Sequence, residues 1–121
     1  MEKKILLVDD EKTLVELGQE LLSDLGFAVT CAYSGEEALR LFEDERQHFD
    51  LLITDESMPG ISGIELAQRL YECQPELPVV LCSGLMLSMY EEGIATTNIR
   101  EILLKTEAYL RLPAVLDELL G

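Results

Sequence analysis

Asp9 and Asp10 follow the aliphatic run Ile5–Val8, Asp55 follows Leu51–Thr54, Ser83 follows Pro78–Cys82, and Lys105 follows Ile102–Leu104. If these runs are parallel strands, three carboxylates, one hydroxyl and one ammonium converge on one sheet edge, where open α/β sheets bind their ligands. Carboxylates crowded into a low-dielectric crevice do not all stay ionised at neutral pH without a counter-charge, and a divalent cation is the simplest relief. With no His or Cys expected nearby, oxygen ligands select Mg2+, or Mn2+, over zinc, and Mg2+ keeps places for water and phosphate oxygens. Lys105 is the only lysine after Lys12, which suits it to neutralising an anion. Taken singly, each Asp reads as a helix cap and the lysine as a solvated side chain. Taken together, they read as a site for a metal and a phosphoryl group.

The elements that must position these residues follow from periodicity. Five aliphatic runs, Ile5–Val8, Phe27–Cys31, Leu51–Thr54, Pro78–Cys82 and Ile102–Leu104, alternate with stretches of helical period, the pattern of β-α units around a parallel sheet. The runs are apolar on both faces, as strands covered on both sides should be. Leu14, Leu17, Leu21, Leu22 and Leu25 predict a first helix, with Gly26 as its stop. Ser34-Gly35-Glu36-Glu37 and Ser62-Gly63-Ile64-Glu65 are capping boxes. The helices they open would turn Ala38, Leu41 and Phe42, then Ala67, Leu70 and Tyr71, inward. A final helix is expected to begin near Pro113 and to bury Leu112, Val115, Leu116 and Leu119. Gly93, Thr96 and Thr97 weaken the segment between Leu85 and Asn98, where a short mobile helix is expected. Asn98 is expected to supply a left-handed turn.

Composition bounds the function. Lys and Arg number 9 against 24 Asp and Glu, a formal charge of -15, which argues against nucleic-acid binding by this domain. A 48% hydrophobic content supports a real core, and 121 residues allow one domain. No aliphatic run approaches the ~20 residues that span a bilayer, so no membrane insertion is expected. The apolar stretch after Lys4 ends at Asp9 and Asp10, unlike a signal peptide. Cys31, Cys73 and Cys82 leave one cysteine over and fit neither a disulfide framework nor a zinc site, so all three are expected to be buried thiols in a cytoplasmic protein. His48 and the acidic runs 43–45 and 91–92 read as solvated surface. Leu85, Met86, Leu87, Met89 and Tyr90 are expected to be partly packed in the core rather than a partner surface.

The chain resembles the receiver domain of two-component response regulators. The resemblance rests on Val8-Asp9-Asp10-Glu11, Thr54-Asp55 with Met58-Pro59-Gly60 and Gly63, Ser83-Gly84, and Leu104-Lys105, and it covers essentially the whole length. It implies a single doubly wound (βα)5 flavodoxin-like α/β domain spanning residues 1–121, with a parallel five-stranded sheet of order 2-1-3-4-5. It further implies that Asp55 accepts a phosphoryl group from a histidine of a sensor histidine kinase or a histidine phosphotransfer domain. Asp10 and Asp55 would bind Mg2+ through carboxylates, Ser57 through its backbone carbonyl and Asp9 through water. Lys105 would pair with one phosphoryl oxygen and Ser83 with another, while Gly84 leaves the acceptor open to a bulky donor. Such a domain is a phospho-acceptor that assists its own phosphorylation and dephosphorylation rather than an enzyme, and the family often forms homodimers through the face at 85–120. The stretches 55–70 and 82–105 are most similar to receivers at the C-terminal end of hybrid sensor kinases. With no output domain in residues 1–121, its effect is expected to come from binding or from drawing off phosphoryl groups.

Two positions depart from the family. Thr106 stands where a proline, commonly after a cis bond, is usual. A cis bond before a non-proline residue costs about 2.5–4 kcal/mol, so either a trans bond with a rerouted loop or a strained cis bond is expected. Ile102 stands where the family often has Tyr or Phe, and it is stiff at χ1, so readout is expected through Ser83 and the segment 85–98. Two rival readings remain. A Mg2+-dependent phosphohydrolase would place a second Asp two residues after its nucleophile, where this chain has Ser57. A degenerate receiver that binds protein without phosphorylation is opposed by intact Asp9, Asp10, Asp55, Ser83 and Lys105, and is kept open by Thr106 and Ile102.

Overall fold

In β1 (Lys4–Val8), Ile5 and Leu7 point to one face of the sheet and Leu6 and Val8 to the other, and all four are buried. The same two-sided burial holds in β3 (Leu51–Asp55), which is buried throughout. The computed structural model describes residues 2–44, 46–84 and 94–121. Around those two strands lie β2 (Ala28–Ala32), β4 (Val79–Ser83) and β5 (Ile99–Leu104), all parallel, in the order β2-β1-β3-β4-β5. This is the order that the resemblance implies. The edge strands β2 and β5 are only partly buried, so the expectation of runs buried on both faces holds for the centre of the sheet and fails at its edges.

Helices α1 (Lys12–Asp24) and α4 (Ala108–Leu120) cover one face through Val15, Leu22, Ala108, Leu112, Val115 and Leu116. Helices α2 (Gly35–Glu43) and α3 (Gly63–Cys73) cover the other through Ala38, Leu66, Ala67 and Leu70. The serine half of each capping box forms, Ser34 Oγ accepting from the Glu37 N–H and Ser62 Oγ from the Glu65 N–H, each at 3.1 Å, while the Glu37 carboxylate accepts from the Tyr33 N–H and the Glu65 carboxylate pairs with Arg69. Gly26, at φ 98°, ends α1 as expected.

Several local expectations are corrected. In α1 the inward stripe is Val15, Gly18 and Leu22, while Leu17 and Leu25 are exposed. Gly18 sets that rotation, because a Cβ there would lie 2.9 Å from Leu7 Cδ2 and 3.3 Å from the Tyr109 ring. Tyr71 is exposed rather than inward, as is Cys73. α4 begins at Ala108, not near Pro113. Ala108 and Leu112, one turn apart, both enter the core, so packing carries the helix N-terminal of a proline whose ring is exposed. β5 likewise starts at Ile99, before the aliphatic run, with a register shift between Val79 and Val80.

Asn98 does not adopt the left-handed conformation: no described non-glycine residue has positive φ. Its side chain instead donates to the Leu77 carbonyl at 3.0 Å, tying the approach to β5 to the start of β4. The Lys105–Thr106 bond is trans, one of the two expected outcomes, and the chain turns there with the Glu107 N–H donating to Leu104 O at 2.8 Å. The expected helix and apolar cluster within 85–93 lie outside the described residues.

Candidate functional site

The parallel register brings the sequence-predicted residues to one edge. β1 ends beside β2, where the Asp9 N–H donates to Ala32 O at 3.2 Å, and Asp9 is buried while Asp10 is exposed. Asp55 ends β3 opposite Cys82 of β4 and is 3% exposed. Oxygens of Asp9, Asp10 and Asp55 lie within 4.8 Å of one another. Ser83 is buried at the end of β4, and its carbonyl accepts from the Lys105 N–H at 2.7 Å, which fixes the lysine's backbone against the neighbouring strand end. Lys105 Nζ then reaches Asp55 Oδ2 at 3.3 Å, Asp9 Oδ2 at 3.7 Å and Glu11 Oε1 at 3.1 Å. Ser57 is exposed in the loop beyond Asp55, and no atom of the described residues lies within 4 Å of a Cβ added at Gly84.

Burial first, and then repulsion from neighbouring carboxylates, pushes the Asp55 and Asp9 carboxyl groups up from their ordinary range. The Glu11 N–H and the Lys105 ammonium pull Asp9 partly back, and Lys105 does the same for Asp55. Burial alone would lower the Lys105 pKa. The hydrogen bond to Glu11 and the charges of Asp55 and Asp9 outweigh it and hold the ammonium charged. Among the described residues, Asp55 Oδ2 is buried with no partner in hydrogen-bond geometry despite the nearby ammonium. An orphaned carboxylate oxygen facing two other carboxylates fits a hard divalent cation bound by oxygen. One correction enters: a cysteine is nearby, since Cys82 lies opposite Asp55. Burial and the charge of Asp55 push its thiol up to about 12, which makes it a weak nucleophile at neutral pH.

Three residues that sequence reasoning gave no role hold the site. Glu11 donates its N–H to Asp9 Oδ1 at 3.0 Å and accepts from Lys105 Nζ. Its place directly after two aspartates was the only signal. Glu56 Oε1 accepts from the Ile64 N–H at 2.8 Å while its carbonyl accepts from the Gly63 N–H, so the residue after Asp55 caps α3 alongside Ser62. A cap reaching forward eight residues has no short-range pattern. Tyr109, one turn after Lys105, donates to Leu14 O at 2.6 Å and clamps α4 to α1. A cavity of about 30 Å³ lies between Tyr109, Leu14, Cys82, Asp55 and Lys105. Gly63 packs so closely that a Cβ would fall 2.3 Å from the Asp55 carbonyl oxygen, which fixes α3 against the strand end.

This arrangement coincides with a family model. Residues 5–117 match the response regulator receiver domain. The chain belongs to that family. The receiver is 36% identical over 118 residues to the transcriptional regulatory protein CpxR of Escherichia coli strain K12, covering 89% of this chain and 49% of the relative. It is 50% identical over 68 residues to the virulence sensor protein BvgS of Bordetella pertussis, which is 55% of this chain but 5% of the sensor. The receiver thus spans half or less of the curated relatives it matches. Among solved structures, it superposes with a TM-score of 0.83 and 32% identity on response regulator protein TrrA from Thermotoga maritima in complex with Mg2+-BeF, covering 97% of this chain and 98% of that one. A signal receiver domain of an HD domain-containing protein from Pseudomonas fluorescens matches with a TM-score of 0.89 at 26% identity. No helix among the described residues is long and apolar enough to cross a membrane.

Proposed function

We propose that residues 1–121 form the phospho-acceptor unit of a two-component pathway, with Asp55 taking a phosphoryl group from a phosphohistidine of a sensor histidine kinase or histidine phosphotransfer domain. The observation that carries this reading is Asp55 itself: a buried carboxylate at a strand end, with the ammonium of Lys105 3.3 Å away and oxygens of Asp9 and Asp10 within 4.8 Å. An Asp55 oxygen attacks phosphorus, the P–N bond to the donor imidazole breaks, and the departing ring nitrogen recovers a proton. Lys105 meets the negative charge on one phosphoryl oxygen, and the Ser83 hydroxyl donates to a second. The Cys82 thiol beside the acceptor, its pKa pushed up by burial, is a weak competitor for the phosphoryl group.

Asp10 and Asp55 would hold Mg2+, or Mn2+, by their carboxylates, Ser57 by its backbone carbonyl and Asp9 through water. Such an ion supplies positive charge against the phosphoryl oxygens when bound. The crystallised relative named with Mg2+-BeF supports this ion. We place the domain in the cytoplasm, where its three thiols stay reduced. Its output is a change in partner binding, with the face at 85–120 as the surface for a second copy.

Incubation of the chain with Mg2+ and acetyl phosphate, read by intact mass, tests the reading. A labile phosphoryl adduct should form on the parent and not on Asp55→Asn. No adduct on the parent would favour a phosphorylation-independent binding module. Steady hydrolysis of phosphate esters would favour the phosphohydrolase.

A further inference from the structure

We propose that Glu11 is a positioning residue that draws Lys105 away from the acceptor, so that its grip on the lysine sets how fully Asp55 is phosphorylated. The inference rests on the phospho-acceptor reading above and adds a residue to it. Lys105 Nζ donates a hydrogen bond to Glu11 Oε1 at 3.1 Å. Asp55 Oδ2 lies farther from the same ammonium, at 3.3 Å, and is held by the ion pair. The lysine expected to serve the phosphoryl group is therefore engaged by a fourth carboxylate that the Mg2+ reading does not use.

Glu11 is free for this task. It is the N-cap of α1, yet its side chain makes no capping hydrogen bond. Its backbone is pinned to Asp9, which keeps the side chain within reach of Lys105. The Glu11 side chain is 60% exposed against 29% for Lys105. The carboxylate can therefore swing into solvent while the lysine stays at the site. Phosphorylation replaces one carboxylate charge at Asp55 with a more negative group, which attracts Lys105 and repels Glu11. Each cycle thus sets Glu11 against the phosphoryl oxygens for one ammonium. A half-exposed ion pair is a weak competitor, so the effect is a tuning of occupancy rather than a block.

The test uses the 121-residue chain at saturating Mg2+ with limiting acetyl phosphate, and reads the ratio of phosphorylated to unphosphorylated protein by intact mass. Glu11→Gln should raise that ratio about two- to fivefold, the size expected of a partly exposed pair. Thermal stability should not change, because no cap is lost. A structural role or a general charge effect is separated by repeating the substitution in a Lys105→Gln background, where the rise should vanish. An unchanged or lower ratio in Glu11→Gln overturns the proposal, and so does the same rise in both backgrounds. Absence of any adduct on the parent would instead overturn the phospho-acceptor reading, while a normal parent adduct with an inert Glu11→Gln overturns only the role of Glu11.

Discussion

The two ends of the parallel sheet treat charge in opposite ways. At the amino end, Asp50 accepts the Lys4 backbone N–H at 2.8 Å, its own N–H donates to Lys4 O at 2.7 Å, and His48 stands 3.3 Å from its other oxygen. Lys4 Nζ donates to Gln47 at 2.6 Å and lies over the Phe49 ring. At the carboxyl end, Asp9, Glu11 and Asp55 share one ammonium, and among the described residues an oxygen of the most buried of them has no partner in hydrogen-bond geometry. The first end closes the fold with satisfied groups. The second keeps uncompensated negative charge in a fixed frame, which costs stability and leaves the site ready for cationic and phosphoryl ligands.

The frame should be the most sensitive part. Gly63→Ala would press a Cβ against the Asp55 backbone oxygen, which cannot move aside cheaply, so a loss of about 3 kcal/mol or more is expected in urea unfolding. A loss below about 1 kcal/mol would mean that the carboxyl end is not held rigidly. Next, removing one carboxylate from each end should give opposite signs. Asp55→Asn should stabilise the metal-free chain by about 1 to 2 kcal/mol by removing a buried, poorly compensated charge. Asp50→Ala should destabilise it by about the same amount by orphaning the Lys4 N–H. Equal signs would erase the contrast between the ends.

Mg2+ should sharpen the contrast. At ten times its dissociation constant it should stabilise the parent by about 1.4 kcal/mol, and Asp55→Asn much less, as read by thermal unfolding at constant ionic strength. An equal shift in both would place the ion elsewhere. The smallest effect is expected from pH. Because Asp9 and Asp55 have pKa values raised by burial, the folded state binds protons more readily than the unfolded chain. Their contribution to stability is present below the unfolded pKa and is lost as pH rises through the folded one. Lowering pH from 7 toward about 5 should therefore stabilise the metal-free parent relative to Asp55→Asn, and an unchanged difference would argue that Asp55 is not strained by burial.

The strand ends were legible in the sequence because each chemical residue directly follows an aliphatic run, and a parallel sheet aligns such ends without further information. Both serine caps were legible for the same local reason. The rotation of α1 was not, since it depends on Gly18 meeting Leu7 and Tyr109, residues far apart in sequence. Nor was the start of α4, where burial of Ala108 and Leu112 overrides the proline signal. Glu11 and Glu56 escaped for a third reason. Their roles are hydrogen bonds across the site to Lys105 and Ile64, which exist only after folding has set the distances.

The most direct test asks which carboxylate carries the phosphoryl group. The chain would be phosphorylated with acetyl phosphate with and without Mg2+, reduced with borohydride to convert an acyl phosphate to the alcohol, digested and mapped by mass. Reduction is expected at Asp55 alone and only with Mg2+. Reduction at Asp9 or Asp10, or an adduct that still forms on Asp55→Asn, would contradict the assignment.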